Sequence, residues 1–149
     1  MTSKVKEYKA LIENTNKPYT ILANTAAFIY ENYENLNWAG FYIAENNNLY
    51  LHAFQGKVAC AEISFNRGVC GFAARNEQVV VVDNVHEFND HIACDSASKS
   101  ELVVPIFYKN KLFALLDLDS PILKRFDSEI EDEMVLICKE LEKKLAEIL

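Results

Sequence analysis

The period of the apolar residues changes twice along this chain, and that change most restricts the fold. Apolar residues recur at helical spacing over residues 5–12 and again in a second helix that begins at Pro18. From residue 38 onward most apolar runs have a period near two, which is typical of strands. A last helix begins at Ser128, where Glu131 three residues later predicts a capping box. Helices therefore flank a sheet.

Short strand-like runs between the helical ends predict a sheet of about six strands. The turn at residues 46–48 and the Lys109-Asn110 pair predict two hairpins, and residues 68–74 predict a turn that leads into a short helix. Pro105 predicts an edge position or a bulge in its strand. The predicted strands are residues 38–44, 49–54, 58–63, 79–82, 102–108 and 112–118. The fold class expected is α+β with a largely antiparallel sheet.

Size and charge exclude several kinds of protein. The 149 residues suit one domain, expected over residues 1–149, because single cores usually span roughly 100–200 residues. A net charge of −7 argues against nucleic acid and against an anionic membrane surface, since both bind basic faces. No apolar run approaches the roughly 18 residues of a membrane span, and the charged N-terminus lacks the apolar core of a secretory signal. We expect a cytoplasmic protein.

Four cysteines are the residues most able to carry chemistry, and in a reducing compartment they are not expected to form structural bridges. Cys94 lies in a polar stretch, residues 85–100, whose length of about 15 residues is typical of a functional loop. Such a thiol is accessible and is the candidate nucleophile, with an inert loop cysteine as the alternative. Cys60 lies in an apolar predicted strand, Cys70 between two glycines, and Cys138 on the apolar face of the last helix, so burial is the simpler interpretation for Cys60 and Cys138.

A metal centre is the competing interpretation of the cysteines. Cys60, Cys70, Cys94 and His91 would supply three sulfur ligands and one nitrogen. Zinc sites usually take two ligands from a CxxC-like pair, and this sequence has none. We therefore expect no bound metal.

Acidic and aromatic residues form a second group of candidates. Asp117 and Asp119 share one face of a strand, and Glu101 begins the neighbouring strand of the same hairpin. Three carboxylates close together raise at least one pKa and provide a proton donor near neutral pH, whereas a solvated strand end is the plainer alternative. Trp38 and Tyr42 also share a strand face, where they form either core or the wall of a pocket.

The ordered set of motifs resembles the free methionine-(R)-sulfoxide reductases, a stand-alone enzyme branch of the GAF-domain superfamily. The resemblance covers roughly residues 19–145. It rests on NWAGFY (37–42), FQGKVAC (54–60), GVCG (68–71), DNVHEF (83–88), HIACDSASKSELVVP (91–105) and LDLDS (116–120). It implies a GAF-like fold, in which helices pack on one face of an antiparallel sheet.

The resemblance also implies roles for individual cysteines. Cys94 would attack the sulfoxide sulfur, and Cys60 would resolve the resulting sulfenic acid as an intramolecular disulfide. Cys70 would line the pocket or serve as an alternative resolving thiol. Thioredoxin would be the external reductant, no cofactor would be bound, and a homodimer is expected.

The same resemblance implies how substrate is held. Glu101 or the Asp117/Asp119 pair would protonate the departing oxygen, and these carboxylates would also bind the ammonium group of free methionine-(R)-sulfoxide. Backbone N–H groups around Ile92 and Ala93 would bind the carboxylate, Trp38 would pack on the methyl group, and Tyr42 would add a polar edge. The alternative function is a ligand- or redox-sensing GAF module that acts in trans.

Overall fold

The computed structural model describes residues 1–89 and 97–149, in which four helices accompany a single six-stranded antiparallel sheet. The elements are α1 (Ser3–Ile12), α2 (Pro18–Asn32), β1 (Trp38–Glu45), β2 (Asn48–Gly56), β3 (Glu62–Ser64), α3 (Gly68–Asn76), β4 (Val80–Val82), a 3₁₀ turn (Val85–Glu87), β5 (Ser100–Tyr108), β6 (Lys111–Ser120) and α4 (Ser128–Ile148). The strand order is β3-β2-β1-β6-β5-β4, so the two predicted hairpins lie side by side through the β1–β6 pair. The α+β fold class is confirmed. Within the described ranges, no helix has both the length and the apolar character needed to cross a bilayer.

The sheet separates two apolar clusters, because neighbouring residues of a strand point to opposite faces. One cluster joins Phe41, Leu116 and Leu118 of the central strands to α1, α2 and α4. The other, on the opposite face, joins Trp38, Tyr42 and other strand residues to α3. We call this second cluster the α3-face cluster; its buried members are Trp38, Tyr42, Leu49, Ile63, Val69, Cys70, Ala73, Ala74, Val82, Val85, Val103 and Leu115.

The predicted third strand was wrong in its bounds. Residues 58–61 are not a strand; β3 begins only at Glu62, and Cys60 lies half-buried in the connecting loop. The chain leaves β2 at Gly56, whose φ of +126° turns it away from the sheet, and it regains pairing where the Leu51 N–H donates to the Ala61 carbonyl at 2.9 Å. Apolar composition alone did not reveal this interruption.

The helix α4 begins at Ser128 as predicted, but its cap differs from the prediction. Asp127 is the N-cap, and its carboxylate accepts the Ile130 N–H at 3.0 Å. The Ser128–Glu131 capping box is therefore wrong by one position. Either residue type can cap a helix, so the sequence allowed both, and the observed path places Ser128 as the first helical residue.

Pro105 lies in a part of β5 that β4 does not reach, where the lack of an N–H is tolerated. β4 pairs with β5 only over Glu101–Val103, so Pro105 lies beyond the end of that neighbour. The β5–β6 register shifts between Ile106 and Phe107. The Phe107 N–H donates to a carboxylate oxygen of Glu142 at 2.7 Å, so a side chain satisfies this strand edge.

Candidate active site

Strand register brings the three predicted carboxylates to one face. Glu101 on β5 lies opposite Asp119 on β6, and Asp117 lies two residues before Asp119 on β6. On the other side of β6, β1 places Trp38 opposite Asp119 and Gly40 opposite Asp117. The acidic side chains and the aromatic residues of β1 therefore share the α3 face of the sheet.

Two of these carboxyl groups are buried beside a thiol. Glu101 and Asp117 are 6% and 5% exposed, Asp119 is half-buried, and Cys70 from α3 is 5% exposed. The Cys70 thiol donates to Oε2 of Glu101 across 3.8 Å, and ligand-type atoms of Cys70, Glu101 and Asp117 all lie within 4.8 Å of one another. Such burial excludes a solvated strand end for Glu101 and Asp117.

Burial sets the protonation of this cluster. It is the main cause that raises the pKa of Glu101 well above its ordinary value, followed by the negative charges of Asp117 and Asp119. Burial likewise raises the pKa of Asp117, and it raises the pKa of the Cys70 thiol together with the nearby Asp117 and Glu101 charges. The Glu101–Asp117 pair, joined by a side-chain hydrogen bond, therefore retains a proton to higher pH than an exposed carboxyl group.

One acceptor of the cluster is left over. Oδ1 of Asp117 is buried and has no hydrogen-bond partner among the described residues. A buried acceptor without a partner is costly, so this oxygen suits an incoming donor such as an ammonium group. The raised pKa of the Glu101–Asp117 pair suits the cluster to proton transfer.

A stack of aromatic rings stands beside the acidic cluster. Trp38 stacks on Tyr42 with ring centroids 6.0 Å apart, and on Phe54 of β2 at 5.3 Å. A Cβ at Gly40 would lie 2.4 Å from the Phe54 Cβ and 2.7 Å from the Trp38 ring, so the stack requires glycine there. Sequence analysis missed Phe54, although its place opposite Gly40 follows from the β1–β2 hairpin.

The polar atoms of the two predicted aromatic residues are used by the protein itself. Trp38 Nε1–H donates to the Lys57 carbonyl at 3.0 Å, and the Tyr42 hydroxyl donates to the Cys60 carbonyl at 2.9 Å. Both acceptors belong to the loop between β2 and β3. The polar edge expected of Tyr42 therefore faces the Cys60 loop.

The three cysteines among the described residues are of two kinds. Cys60 is half-buried and disulfide-bonded, whereas Cys70 and Cys138 are buried free thiols. Cys138 packs in the cluster beneath α4, as its helical position predicted. A disulfide sulfur is not a thiolate ligand, so Cys60 in this state does not suit the four-ligand metal set.

Part of the predicted site cannot be placed. His91, Ile92, Ala93 and Cys94 lie outside the described residues. The chain resumes beside the acidic cluster: Ser98 is buried, and its hydroxyl accepts a hydrogen bond from Nδ2 of Asn37 at 3.1 Å. The Asn37 N–H in turn donates to the Asp119 carbonyl at 2.9 Å. Neither Asn37 nor Ser98 stood out as a site residue from sequence spacing.

Comparisons with known proteins show what this chain is similar to in sequence and fold. A model of the GAF domain family matches residues 18–143. The free methionine-R-sulfoxide reductase of Escherichia coli is 44% identical over 141 residues, which are 95% of this chain and 86% of that protein.

Two solved structures are similar over nearly the whole chain. The fRMsr of Staphylococcus aureus, in complex with substrate, is 43% identical with a TM-score of 0.91, covering 96% of this chain and 94% of that one. The free methionine-R-sulfoxide reductase of Neisseria meningitidis, in complex with its substrate, is 38% identical with a TM-score of 0.92, covering 97% and 86% of the two chains.

Proposed function

Because this chain belongs to the GAF domain family and, within it, to the free methionine-R-sulfoxide reductases, we propose that it reduces free methionine-R-sulfoxide to methionine. One observation carries the proposal in this molecule. A buried carboxyl pair that holds a proton, Glu101 and Asp117, lies on the same face as an aromatic stack that reaches the loop of a disulfide-bonded cysteine, Cys60. Sulfoxide reduction needs such a proton donor, because the oxygen leaves poorly unless it is protonated.

In the first step the Cys94 thiolate attacks the sulfoxide sulfur, and Glu101 gives its proton to the sulfoxide oxygen. The protonated oxygen passes to the Cys94 sulfur as the transient bond between the two sulfurs and the sulfur–oxygen bond of the substrate break, so methionine leaves and Cys94 is left as a sulfenic acid. The sulfur of the substrate is reduced by two electrons, which the Cys94 sulfur supplies. Asp117 and the half-buried Asp119 favour the protonated form of Glu101 before the reaction.

Recognition of the free amino acid follows from Oδ1 of Asp117, the buried acceptor that has no hydrogen-bond partner among the described residues. The ammonium group donates to Oδ1 of Asp117, Trp38 packs on the methyl group, and backbone N–H groups at Ile92 and Ala93 bind the carboxylate. A methionine sulfoxide residue within a peptide has neither charged end. It would leave the buried oxygen of Asp117 without a partner, which weakens binding far more than the loss of a methylene group.

In the second step the Cys60 thiol attacks the Cys94 sulfenic acid, a disulfide forms, and water leaves. Cys60 suits this role because it is half-buried in a loop and disulfide-bonded. Cys70 suits it less: burial raises its pKa, so the thiolate that would attack is scarce at neutral pH. A dithiol reductant of the thioredoxin type then restores both thiols by exchange.

Single-turnover chemistry with cysteine variants tests this proposal. Reduced protein is mixed with free methionine-R-sulfoxide without reductant, and released methionine is counted. We expect Cys94→Ser to release none, and Cys60→Ser to release about one methionine per chain but not to turn over with thioredoxin. Cys138→Ala, in the core beneath α4, is the matched control and should behave like the wild-type protein.

Three results would oppose the proposal. Methionine release by Cys94→Ser at the wild-type rate would remove its nucleophile. Thioredoxin-driven turnover by Cys60→Ser but not by Cys70→Ser would transfer the resolving role to Cys70. Binding of the sulfoxide by the wild-type protein without any methionine release would favour the sensing module instead.

A further inference from the structure

We infer that Trp38 and Tyr42 position the loop that carries Cys60, and that they thereby control disulfide formation as well as line the pocket. The inference rests on the proposed function and extends it to a second step. We call residues 57–61 the Cys60 loop. Both aromatic side chains donate a hydrogen bond to a backbone carbonyl of this loop, one near each of its ends.

The loop begins where β2 can no longer continue. Gly56 has a φ of +126°, and a Cβ there would lie 2.7 Å from the Asn37 carbonyl oxygen and 2.8 Å from Cδ1 of Trp38. The chain therefore turns directly over the indole ring. The next residue, Lys57, accepts the Trp38 Nε1–H at 3.0 Å, which ties the first residue of the loop to β1.

The loop ends at a second tie to the same strand. The Tyr42 hydroxyl donates to the carbonyl of Cys60 itself at 2.9 Å, and the Leu51 N–H donates to the Ala61 carbonyl at 2.9 Å. Tyr42 is buried and stacks on Trp38, so the position of its ring, and with it that of the hydroxyl, is restricted. The backbone of Cys60 is thus fixed relative to the pocket wall.

The loop has apolar support on one side only. Ala59 and Cys60 are half-buried and pack against the α3-face cluster, whereas Lys57 is exposed and Val58 is 86% exposed. Apolar packing therefore holds the second half of the loop, and its first residue and the Cys60 backbone are positioned in addition by the two side-chain hydrogen bonds. Without them, the Cys60 sulfur would sample more positions and meet the sulfenic acid less often.

The step concerned is the condensation of Cys60 with the Cys94 sulfenic acid. The new bond joins the two sulfurs, the sulfur–oxygen bond of the sulfenic acid breaks, and the hydroxyl leaves as water with the thiol proton. The rate depends on how often the two sulfurs are in contact. Loss of one ordering hydrogen bond should therefore slow this step more than it slows the attack on substrate.

Tyr42→Phe tests the inference because it removes the hydroxyl and keeps the stacked ring. In one single-turnover reaction, methionine release reports the first step, and alkylation of free thiols followed by mass spectrometry reports disulfide formation. We expect the ratio of the second rate to the first to fall about tenfold. A 1,3-dione probe should trap more sulfenic acid in the variant than in the wild-type protein.

Two further variants sharpen the test. Trp38→Phe removes the Nε1–H donor and should lower the same ratio. Val58→Ala changes an exposed side chain of the same loop and keeps both hydrogen bonds, so its ratio should equal that of the wild-type protein. Thermal unfolding of each variant tests whether the fold is intact.

The inference would be overturned if Tyr42→Phe leaves the ratio unchanged. It would also be overturned if both rates fall together, since that result indicates a general disturbance of the pocket. Failure of the proposed function looks different, because the wild-type protein would then release no methionine.

Discussion

At the scale of single residues, chemistry in this molecule depends on where a proton resides. Glu101 lies next to the buried Asp117 and the buried Cys70 thiol, and Asp119 lies opposite it on β6. All of them lie on the face of the sheet that carries the α3-face cluster. Burial and the two neighbouring negative charges favour its protonated form, so its pKa lies well above the ordinary value of about 4.3. A carboxylic acid of this kind can donate a proton at a pH where exposed glutamates are ionised.

Glu101→Gln should lower the rate of methionine release in a single turnover by about 10²–10⁴-fold, the usual contribution of a general acid. The pH dependence has a defined sign. In the wild-type protein the active form carries the proton, so the rate should fall as the pH rises through the raised pKa of the Glu101–Asp117 pair. The variant cannot lose that proton and should lack this decline. Stopped-flow measurement of methionine release between pH 5 and pH 9 provides the profile.

Glu62→Gln is the matched control for this prediction. It makes the same change of charge at an exposed position on β3 and should keep the wild-type rate and profile. A Glu101→Gln variant with the wild-type alkaline decline would assign that decline to another group and would rule out Glu101 as the acid.

At the scale of elements, the interruption between β2 and β3 places Cys60. If β2 continued without interruption, residues 57–61 would be part of the sheet. Instead, Gly56, whose φ is positive, turns the chain out of the sheet and over Trp38. The chain rejoins β2 at Leu51 through the Ala61 carbonyl. The backbone conformation of Gly56 therefore determines the direction in which the Cys60 loop leaves β2.

Gly56→Ala should destabilise the protein by about 1–3 kcal/mol, because the added Cβ meets backbone and indole atoms and a φ of +126° strains any other residue. It should also slow disulfide formation more than methionine release. Urea unfolding and the two-rate single turnover measure these effects. Gln55→Ala, at the exposed preceding position of β2, should change neither. Equal slowing of both steps in Gly56→Ala would contradict the idea that the turn serves Cys60.

At the scale of the whole molecule, the sheet divides a structural core from a functional one. Leu115 and Leu116 are neighbours on β6, and both are fully buried. Leu116 packs with α1, α2 and α4, whereas Leu115 lies opposite Tyr42 and two residues from Asp117 in the α3-face cluster. Adjacent side chains of equal size therefore serve different purposes.

Leu115→Ala and Leu116→Ala should each lower the free energy of unfolding by about 2–5 kcal/mol, the usual range for a buried leucine. Only Leu115→Ala should also reduce kcat/KM, by about tenfold, because its cavity adjoins the aromatic wall. Steady-state assays well below the unfolding temperature separate the two effects. A comparable loss of kcat/KM in Leu116→Ala would show that the two clusters are not functionally separate.

Much of this fold followed from local pattern. Helical spacing located the helices, and period-two runs located five of the six strands closely. The i, i+2 spacing of Asp117 and Asp119 placed both on one face, and the hairpin with Glu101 brought the third carboxyl group near. Cysteine contexts and the ordered motifs indicated the reductase family.

What the sequence determined by itself depends on neighbours along the chain: element type outside residues 58–61, strand face and hairpin pairing. The tertiary structure alone decided the burial of Glu101 and Asp117, the Cys70 thiol against them, and the hydrogen bonds from Trp38 and Tyr42 to the Cys60 loop. The reason is physical: a pKa or a hydrogen bond depends on atoms that lie close in space, and here those atoms come from β1, β5, β6, α3 and a loop far apart in the chain.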